Sequence, residues 1–68
     1  MTYNFCERLK DLRQEQNLSY RQLGKNTGFS DNSIRRWENG TCTPNIDELI
    51  TLAKYFNVST DYMLGLTD

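Results

Sequence analysis

The sequence predicts an all-α fold, a compact domain of five helices, and three observations support this prediction. Apolar residues recur at spacings of three and four, which places them on one face of a helix. Side chains that can cap a helix N-terminus precede these segments, and no segment alternates apolar and polar residues as a half-buried strand does. The chain has 68 residues, 37% of them hydrophobic, so we expect a single domain over residues 1–68.

The first helix is predicted from an apolar stripe near the start of the chain. Phe5, Leu9 and Leu12 recur at i, i+4 and i+7, which predicts a helix over about residues 4–16. Asparagine is common where helices end, so we expect this helix to stop at Asn17.

The second and third helices are predicted from the signals at their ends. Ser19 can cap the second helix and Gln22 completes a capping box, which predicts a helix over about residues 20–26. Gly28 can adopt the left-handed conformation that follows a helix. A further capping serine comes after this turn, so the third helix is predicted over residues 31–38.

The fourth and fifth helices repeat this pattern. Asn45 and Glu48 form a second capping signal, and Asn57 is expected to end the fourth helix. Ser59 can cap a short fifth helix that ends near Gly65. The predicted apolar face of the fourth helix comprises Ile46, Leu49, Ile50, Ala53 and Phe56.

Residues 19–38 form two short helices joined by a glycine-containing turn of about four residues, an arrangement typical of a helix-turn-helix. At 100° per residue, Ile34 and Trp37 share one face of the third helix. The guanidinium of arginine matches the O6/N7 edge of guanine, and a carboxamide matches the N6/N7 edge of adenine. The spacing alone is equally typical of an ordinary solvated helix face. The side chains on the face opposite Ile34 and Trp37 are Asn32, Arg35, Arg36 and Asn39.

Two segments are distinctive in combination, Trp-Glu-Asn-Gly at residues 37–40 and Asp-Tyr-Met-Leu-Gly at residues 61–65. Further matching residues lie along most of the chain: Arg8-Leu9, Leu12-Arg13, Leu18-Ser19, Leu23, Gly28, Ser30, Ile34, Pro44, Leu49, Leu52-Ala53 and Val58-Ser59. On these residues the sequence from Arg8 to Asp68 resembles the phage repressor and Cro type of helix-turn-helix DNA-binding domain, often called the XRE family. The resemblance implies a lambda repressor-like fold.

The resemblance also implies roles for individual side chains. Asp31 lies in the first turn of the third helix, where its carboxylate complements the helix dipole; it could also read a base by accepting a hydrogen bond from the N4 amine of cytosine. The implied groups are base-reading residues Asp31, Asn32, Arg35 and Arg36, phosphate-contacting residues Tyr20, Arg21, Ser33 and Asn39, and a structural ion pair of Arg13 with Glu38.

The chain departs from the family pattern at several positions. Tyr20 stands where many members have glutamine, so a phenol would replace an amide at the DNA backbone. Gly24 stands where alanine is usual, which we expect to lower helix stability by up to ~1 kcal/mol without changing the packing. Thr27 occupies a usually apolar position, and the loop at residues 41–43 contains no Lys or Arg.

The net charge of −1 and the pI near 5.2 argue at first against a nucleic-acid ligand. The charge is unevenly distributed, however, because residues 1–40 sum to +2 and residues 41–68 to −3. Few cations imply weak binding by one domain, which favours a homodimer on an inverted-repeat operator with recognition helices ~34 Å apart. Candidate dimer residues, which could instead close the core, are Tyr62, Met63, Leu66 and Tyr55.

Several function classes are not expected. Cys6 and Cys42 are widely separated in a chain without histidine, so they form neither a zinc site nor a Cys/His nucleophile. We expect Cys6 to fill the core and Cys42 to be exposed. No membrane span, leader, cofactor, metal or small-molecule ligand is expected, and the protein is predicted to be cytoplasmic and not an enzyme.

The sequence therefore predicts a transcriptional regulator that binds double-stranded DNA sequence-specifically and reads the major groove with the third helix. We expect a repressor of bacterial, prophage or mobile-element origin. The alternative is a protein-interaction module that reuses the fold, such as an antitoxin or anti-repressor, and the low pI favours it.

Overall fold

The computed structural model describes residues 4–67, and five α-helices account for most of this range. No strand occurs among these residues, so the predicted all-α fold is confirmed. Each helix boundary lies within one or two residues of its predicted position. Residues 1–3 and 68, which the domain prediction includes, lie outside the described residues. The helices are α1 Phe5–Glu15, α2 Tyr20–Thr27, α3 Asp31–Glu38, α4 Ile46–Phe56 and α5 Thr60–Met63.

Local hydrogen bonds determine where four of the helices begin. The side chains that precede α2, α3, α4 and α5 each accept a hydrogen bond from the backbone N–H three residues later. Gln22 and Glu48 complete capping boxes by accepting from the N–H of the capping residue. Asn4 precedes α1 without such a bond. The four capping residues are Ser19, Ser30, Asn45 and Ser59.

The core lies where α1 packs against α3 and α5 and where α2 packs against α3 and α4. Phe29, in the turn between α2 and α3, makes an edge-to-face contact with Trp37 at 5.2 Å between ring centroids, which fixes this turn against the core. Met63 is fully buried, so this candidate dimer residue instead closes the core under α5. The buried hydrophobic residues are Phe5, Leu9, Leu12, Leu23, Ile34, Trp37, Leu52, Ala53, Phe56 and Met63.

The predicted apolar face of α4 is partly wrong. Ile46 is 76% exposed and Ile50 is 39% exposed, whereas Leu52, which the prediction omitted, is fully buried. The apolar residues of α4 occupy a wider arc than one packed surface can cover. The helix turns the Leu52 and Phe56 side inward against the core and leaves the opposite edge of the arc in solvent.

Replacement of Ile46 with alanine is therefore expected to change the free energy of unfolding by less than about 0.5 kcal/mol, because little of the apolar surface that it removes is buried. Urea denaturation at two protein concentrations measures this. A larger loss that increased with protein concentration would contradict the expectation, since it would show that an oligomer buries Ile46.

The cysteines are both free, Cys6 half-buried rather than within the core and Cys42 exposed as predicted. None of the helices between residues 4 and 67 combines the length and the apolar character needed to cross a bilayer.

Candidate nucleic-acid interface

The interface is built on α3, whose two faces differ sharply. Ile34 and Trp37 are 0% and 3% exposed and anchor one face in the core. The Ser30 hydroxyl accepts from the Ser33 N–H at 3.1 Å and donates to the Ser33 hydroxyl at 2.9 Å, which defines the first turn. Anchoring one face presents the opposite face to solvent over the whole length of the helix.

Gly24 determines how closely α2 approaches the start of α3. A Cβ atom at this position would lie nearer to the Phe29 carbonyl oxygen than real Cβ atoms come, and 3.4 Å from the Asp31 backbone nitrogen. The expectation that glycine in place of alanine leaves the packing unchanged is therefore wrong, because the turn occupies the space that a Cβ would need. The absent side chain lets the turn fold tightly against α2, and this contact positions α3.

The predicted base-reading residues are all solvent-exposed. Asn32, Arg35 and Arg36 are exposed, and Asp31 is exposed in the first turn of α3. Within residues 4–67 neither arginine forms an ion pair with a carboxylate. Both guanidinium groups therefore retain their full hydrogen-bonding capacity for a ligand, and each presents a planar fork of donors.

The predicted phosphate-contacting residues lie at three places: the start of α2, the first turn of α3 and the C-terminal end of α3. Tyr20, half-buried, and Arg21, exposed, are at the start of α2, while Ser33 is half-buried on α3. The Asn39 side-chain oxygen accepts from the Thr41 N–H at 3.0 Å and from the Thr41 hydroxyl at 2.6 Å. A phosphate could therefore meet the amide nitrogen of Asn39, since its oxygen is engaged in the loop after α3.

Arg13 and Glu38 form a bidentate pair that joins α1 to the end of α3. Arg13 Nε donates to Glu38 Oε2 at 2.7 Å, and Nη2 donates to Oε1 at 3.0 Å. Arg13 Nη1 also donates to the Leu18 carbonyl at 2.7 Å. The side chains are 11% and 3% exposed. The hydrogen bond to Glu38 raises the pKa of Arg13 above its ordinary value, so the guanidinium is charged throughout the accessible pH range.

The Tyr20 ring contacts two guanidinium groups, a role that the sequence did not indicate. The ring centroid lies 4.3 Å from Cζ of Arg13 and 5.1 Å from Cζ of Arg35. An aromatic residue in place of the family's glutamine was the available signal. Its two partners lie on different helices, so only the tertiary structure shows that they meet.

Lys25 is a further cation that the predicted site did not include. It lies beside Arg21 along an open cleft of about 490 Å³ between α2 and the turn that follows it. The cleft is also lined by Gly24, Gly28 and Asp31. No group of three or more His, Cys, Asp or Glu side chains among residues 4–67 could hold a metal ion.

Comparison of the sequence with known proteins matches this chain to helix-turn-helix proteins. The family model described as Helix-turn-helix, HTH_3, matches residues 9–63. The chain is 39% identical over 64 residues to the HTH-type transcriptional regulator YobD of Bacillus subtilis (strain 168), covering 94% of this chain and 57% of YobD. The chain thus spans little more than half the length of this relative.

Two solved structures share the fold. A transcriptional regulator from Listeria innocua has a TM-score of 0.90 at 28% identity, over 100% of this chain and 64% of that chain. The c2 repressor protein of Salmonella phage P22, in complex with a synthetic operator, has a TM-score of 0.83 at 33% identity, over 88% of this chain and 91% of that chain. The similarity therefore covers the complete arrangement of helices around α2 and α3.

Proposed function

The chain belongs to the Helix-turn-helix family, and from this we propose that it is a sequence-specific DNA-binding transcriptional regulator, a repressor of bacterial, prophage or mobile-element origin. The observation that carries the proposal is the exposed face of α3, where Asn32, Arg35 and Arg36 stand opposite the buried Ile34 and Trp37. The c2 repressor, which shares the fold, is solved with a synthetic operator, and this likeness supports the same ligand here.

The dimensions of α3 fit the major groove of B-DNA. The groove is about 12 Å wide, and a helix with its side chains is about 10–12 Å across. A helix held from behind by two core residues can enter the groove without rearrangement of the domain. The proposed base-reading residues are Asp31, Asn32, Arg35 and Arg36, and the proposed phosphate contacts are Tyr20, Arg21, Ser33 and Asn39.

The proposal includes a homodimer on an inverted repeat. The few cations on the interface give a single domain little affinity, and two domains on one DNA molecule bind more tightly than either alone. Leu66, 49% exposed, and Tyr62, half-buried, are the remaining apolar candidates for the dimer contact. The Tyr55 hydroxyl accepts from the Asn26 amide at 2.9 Å, so its ring is held against α2. As a regulator of bacterial DNA, the protein would act in the cytoplasm.

Selection of bound fragments from a random DNA library tests the proposal with the full chain. The wild-type protein is expected to enrich two inverted half-sites one helical turn apart. Arg35→Ala and Arg36→Ala are each expected to lose about 5- to 150-fold discrimination at different base pairs, because each removes a bidentate guanine contact worth about 1–3 kcal/mol.

Arg21→Ala is the matched control, since it removes the same charge from the neighbouring helix. It should weaken binding to all sequences equally, reduce the salt dependence by about one released counterion, and retain the enriched motif. If Arg35→Ala and Arg36→Ala both kept the wild-type motif, the proposal that α3 reads bases would be wrong. If the wild-type protein enriched no motif, the proposal would fail in favour of a protein-interaction module.

A further inference from the structure

The Tyr20 ring lies between the proposed phosphate contacts at the start of α2 and the proposed base-reading residues of α3. Tyr20 is the first residue of α2 and precedes the proposed phosphate contact Arg21. The centroid of its ring lies 5.1 Å from Cζ of Arg35, in the middle of α3. Tyr20 is half-buried and packs against the core, whereas Arg35 is exposed. The contact therefore joins a side chain held by the fold to one that is otherwise surrounded by solvent.

The ring also contacts a second guanidinium group, which is itself held in place. Arg13 lies 4.3 Å from the ring centroid and is itself fixed by hydrogen bonds to the Glu38 carboxylate and the Leu18 carbonyl. A ring attracts a cation through its negative face within about 6 Å, so both guanidinium groups are in range. Glu38 neutralises the charge of Arg13, which removes most of the repulsion that a second cation at the same ring would meet.

We propose that Tyr20 is a positioning residue for Arg35 and that its ring holds the exposed guanidinium in the orientation in which it reads a base. The inference rests on the proposed function. A solvent-exposed arginine has several rotatable bonds, and ordering them on DNA opposes binding. Contact with a fixed ring restricts this freedom before DNA arrives, so part of the ordering is already complete in the free protein.

The inference assigns to the aromatic ring a role distinct from that of the hydroxyl. A hydroxyl that only contacted a phosphate would act on all DNA sequences alike. A ring that orients Arg35 would instead affect discrimination at the base pair that Arg35 reads. Tyr20→Phe removes the hydroxyl and keeps the ring, while Tyr20→Gln removes the ring and keeps a polar group able to reach a phosphate. The two variants therefore separate the two roles.

The first measurement uses the free protein. Aromatic ring currents shift the NMR resonances of groups stacked on the ring, so the Arg35 side-chain protons should be shifted in the wild-type protein and in Tyr20→Phe. These shifts should disappear in Tyr20→Gln. Arg35 resonances that are the same in all three proteins would overturn the inference, and this measurement does not depend on DNA binding.

The second measurement is a double-mutant cycle on the motif enriched by the wild-type chain. Tyr20→Gln is expected to lower affinity for this motif by about two- to fivefold, the effect of one exposed cation–π contact, and to relax the same base pair as Arg35→Ala. In the Arg35→Ala background, Tyr20→Gln should have no further effect on discrimination at that base pair. Tyr20→Phe should retain the wild-type discrimination.

Arg36→Ala supplies the control background, because Arg36 lies on the same helix face and has no ring contact among the described residues. The effects of Tyr20→Gln and Arg36→Ala should be additive. Equal coupling to both arginines, or equal loss of discrimination in Tyr20→Phe and Tyr20→Gln, would overturn the inference. Thermal unfolding identifies a destabilised variant, and Tyr20→Leu, also ringless, then replaces Tyr20→Gln in the cycle.

These outcomes distinguish this inference from the proposed function. A wild-type protein that enriches no motif removes the proposed function and this inference with it. A wild-type protein that enriches a motif, with Tyr20 uncoupled from Arg35, removes this inference alone.

Discussion

Arg13→Ala is expected to lower the free energy of unfolding by about 3–5 kcal/mol, because it leaves the Glu38 carboxylate buried without its counter-charge. Two bonds of 2.7 and 3.0 Å join the pair, and the Glu38 side chain is only 3% exposed. The Leu18 carbonyl loses a donor in the same variant. Domains have total stabilities of about 5–15 kcal/mol, and small ones lie towards the low end, so the loss is a large share of the total.

Thermal and urea unfolding measure this effect, with Arg8→Ala as the matched control on the same helix. Arg8 lies 4.2 Å from the Tyr62 ring centroid, and its donor reaches the Thr67 carbonyl at 3.5 Å in an exposed setting. Its replacement should therefore lower stability by less than Arg13→Ala does. Equal melting temperatures for the two variants would contradict the structural role of the pair.

A double variant separates the buried charge from the packing. Replacing Arg13 with Met and Glu38 with Leu removes both charges and retains apolar volume at each position. Buried pairs replaced in this way often lose little stability. We expect the double variant to be more stable than Arg13→Ala.

Gly24→Ala is expected to lower the free energy of unfolding by about 1–3 kcal/mol, the usual effect of overpacking. Helix propensity alone predicts the opposite sign, a gain of up to about 1 kcal/mol. The structure decides between them, because the added Cβ would meet the Phe29 carbonyl oxygen, a backbone atom that cannot turn away as a side chain does. Since relief requires movement of the turn before α3, DNA selectivity should fall as well.

Gly28→Asn is the matched control for this substitution. Gly28 has φ 88°, and nothing lies within 4 Å of where its Cβ would be. Asparagine tolerates the left-handed conformation, so Gly28→Asn should cost less stability than Gly24→Ala. A rise in melting temperature for Gly24→Ala would show that the turn has room for a methyl group.

The helices could be predicted from the sequence because the signals that define them are local. Ser19 with Gln22 and Asn45 with Glu48 lie three residues apart, and their hydrogen bonds depend on nothing beyond the first turn of each helix. The same reasoning separated the two faces of α3, because Ile34 and Trp37 leave only one way for that helix to bury apolar surface.

The remaining features depend on contacts between elements, and here the local signals were insufficient. The rotation of α4 is set by the surface available to it, so the sequence did not show that Leu52 is buried and Ile46 exposed. The need for glycine at position 24 comes from a carbonyl five residues later, across a turn. The meeting of Tyr20 with Arg35 likewise depends on how α2 crosses α3.

The caps of the helices also bear on how quickly the domain regains its structure after opening. α2, α3, α4 and α5 each begin at a bond between residues three apart, so closing it orders little chain, whereas α1 has no such bond at Asn4. Helical domains dominated by short-range contacts fold in microseconds to milliseconds. Arg13 and Glu38, by contrast, are 25 residues apart in sequence, so their ion pair closes a longer loop of chain. The helix proposed to read DNA thus begins at a bond that needs no other helix, whereas the ion pair that joins it to α1 needs both helices in place.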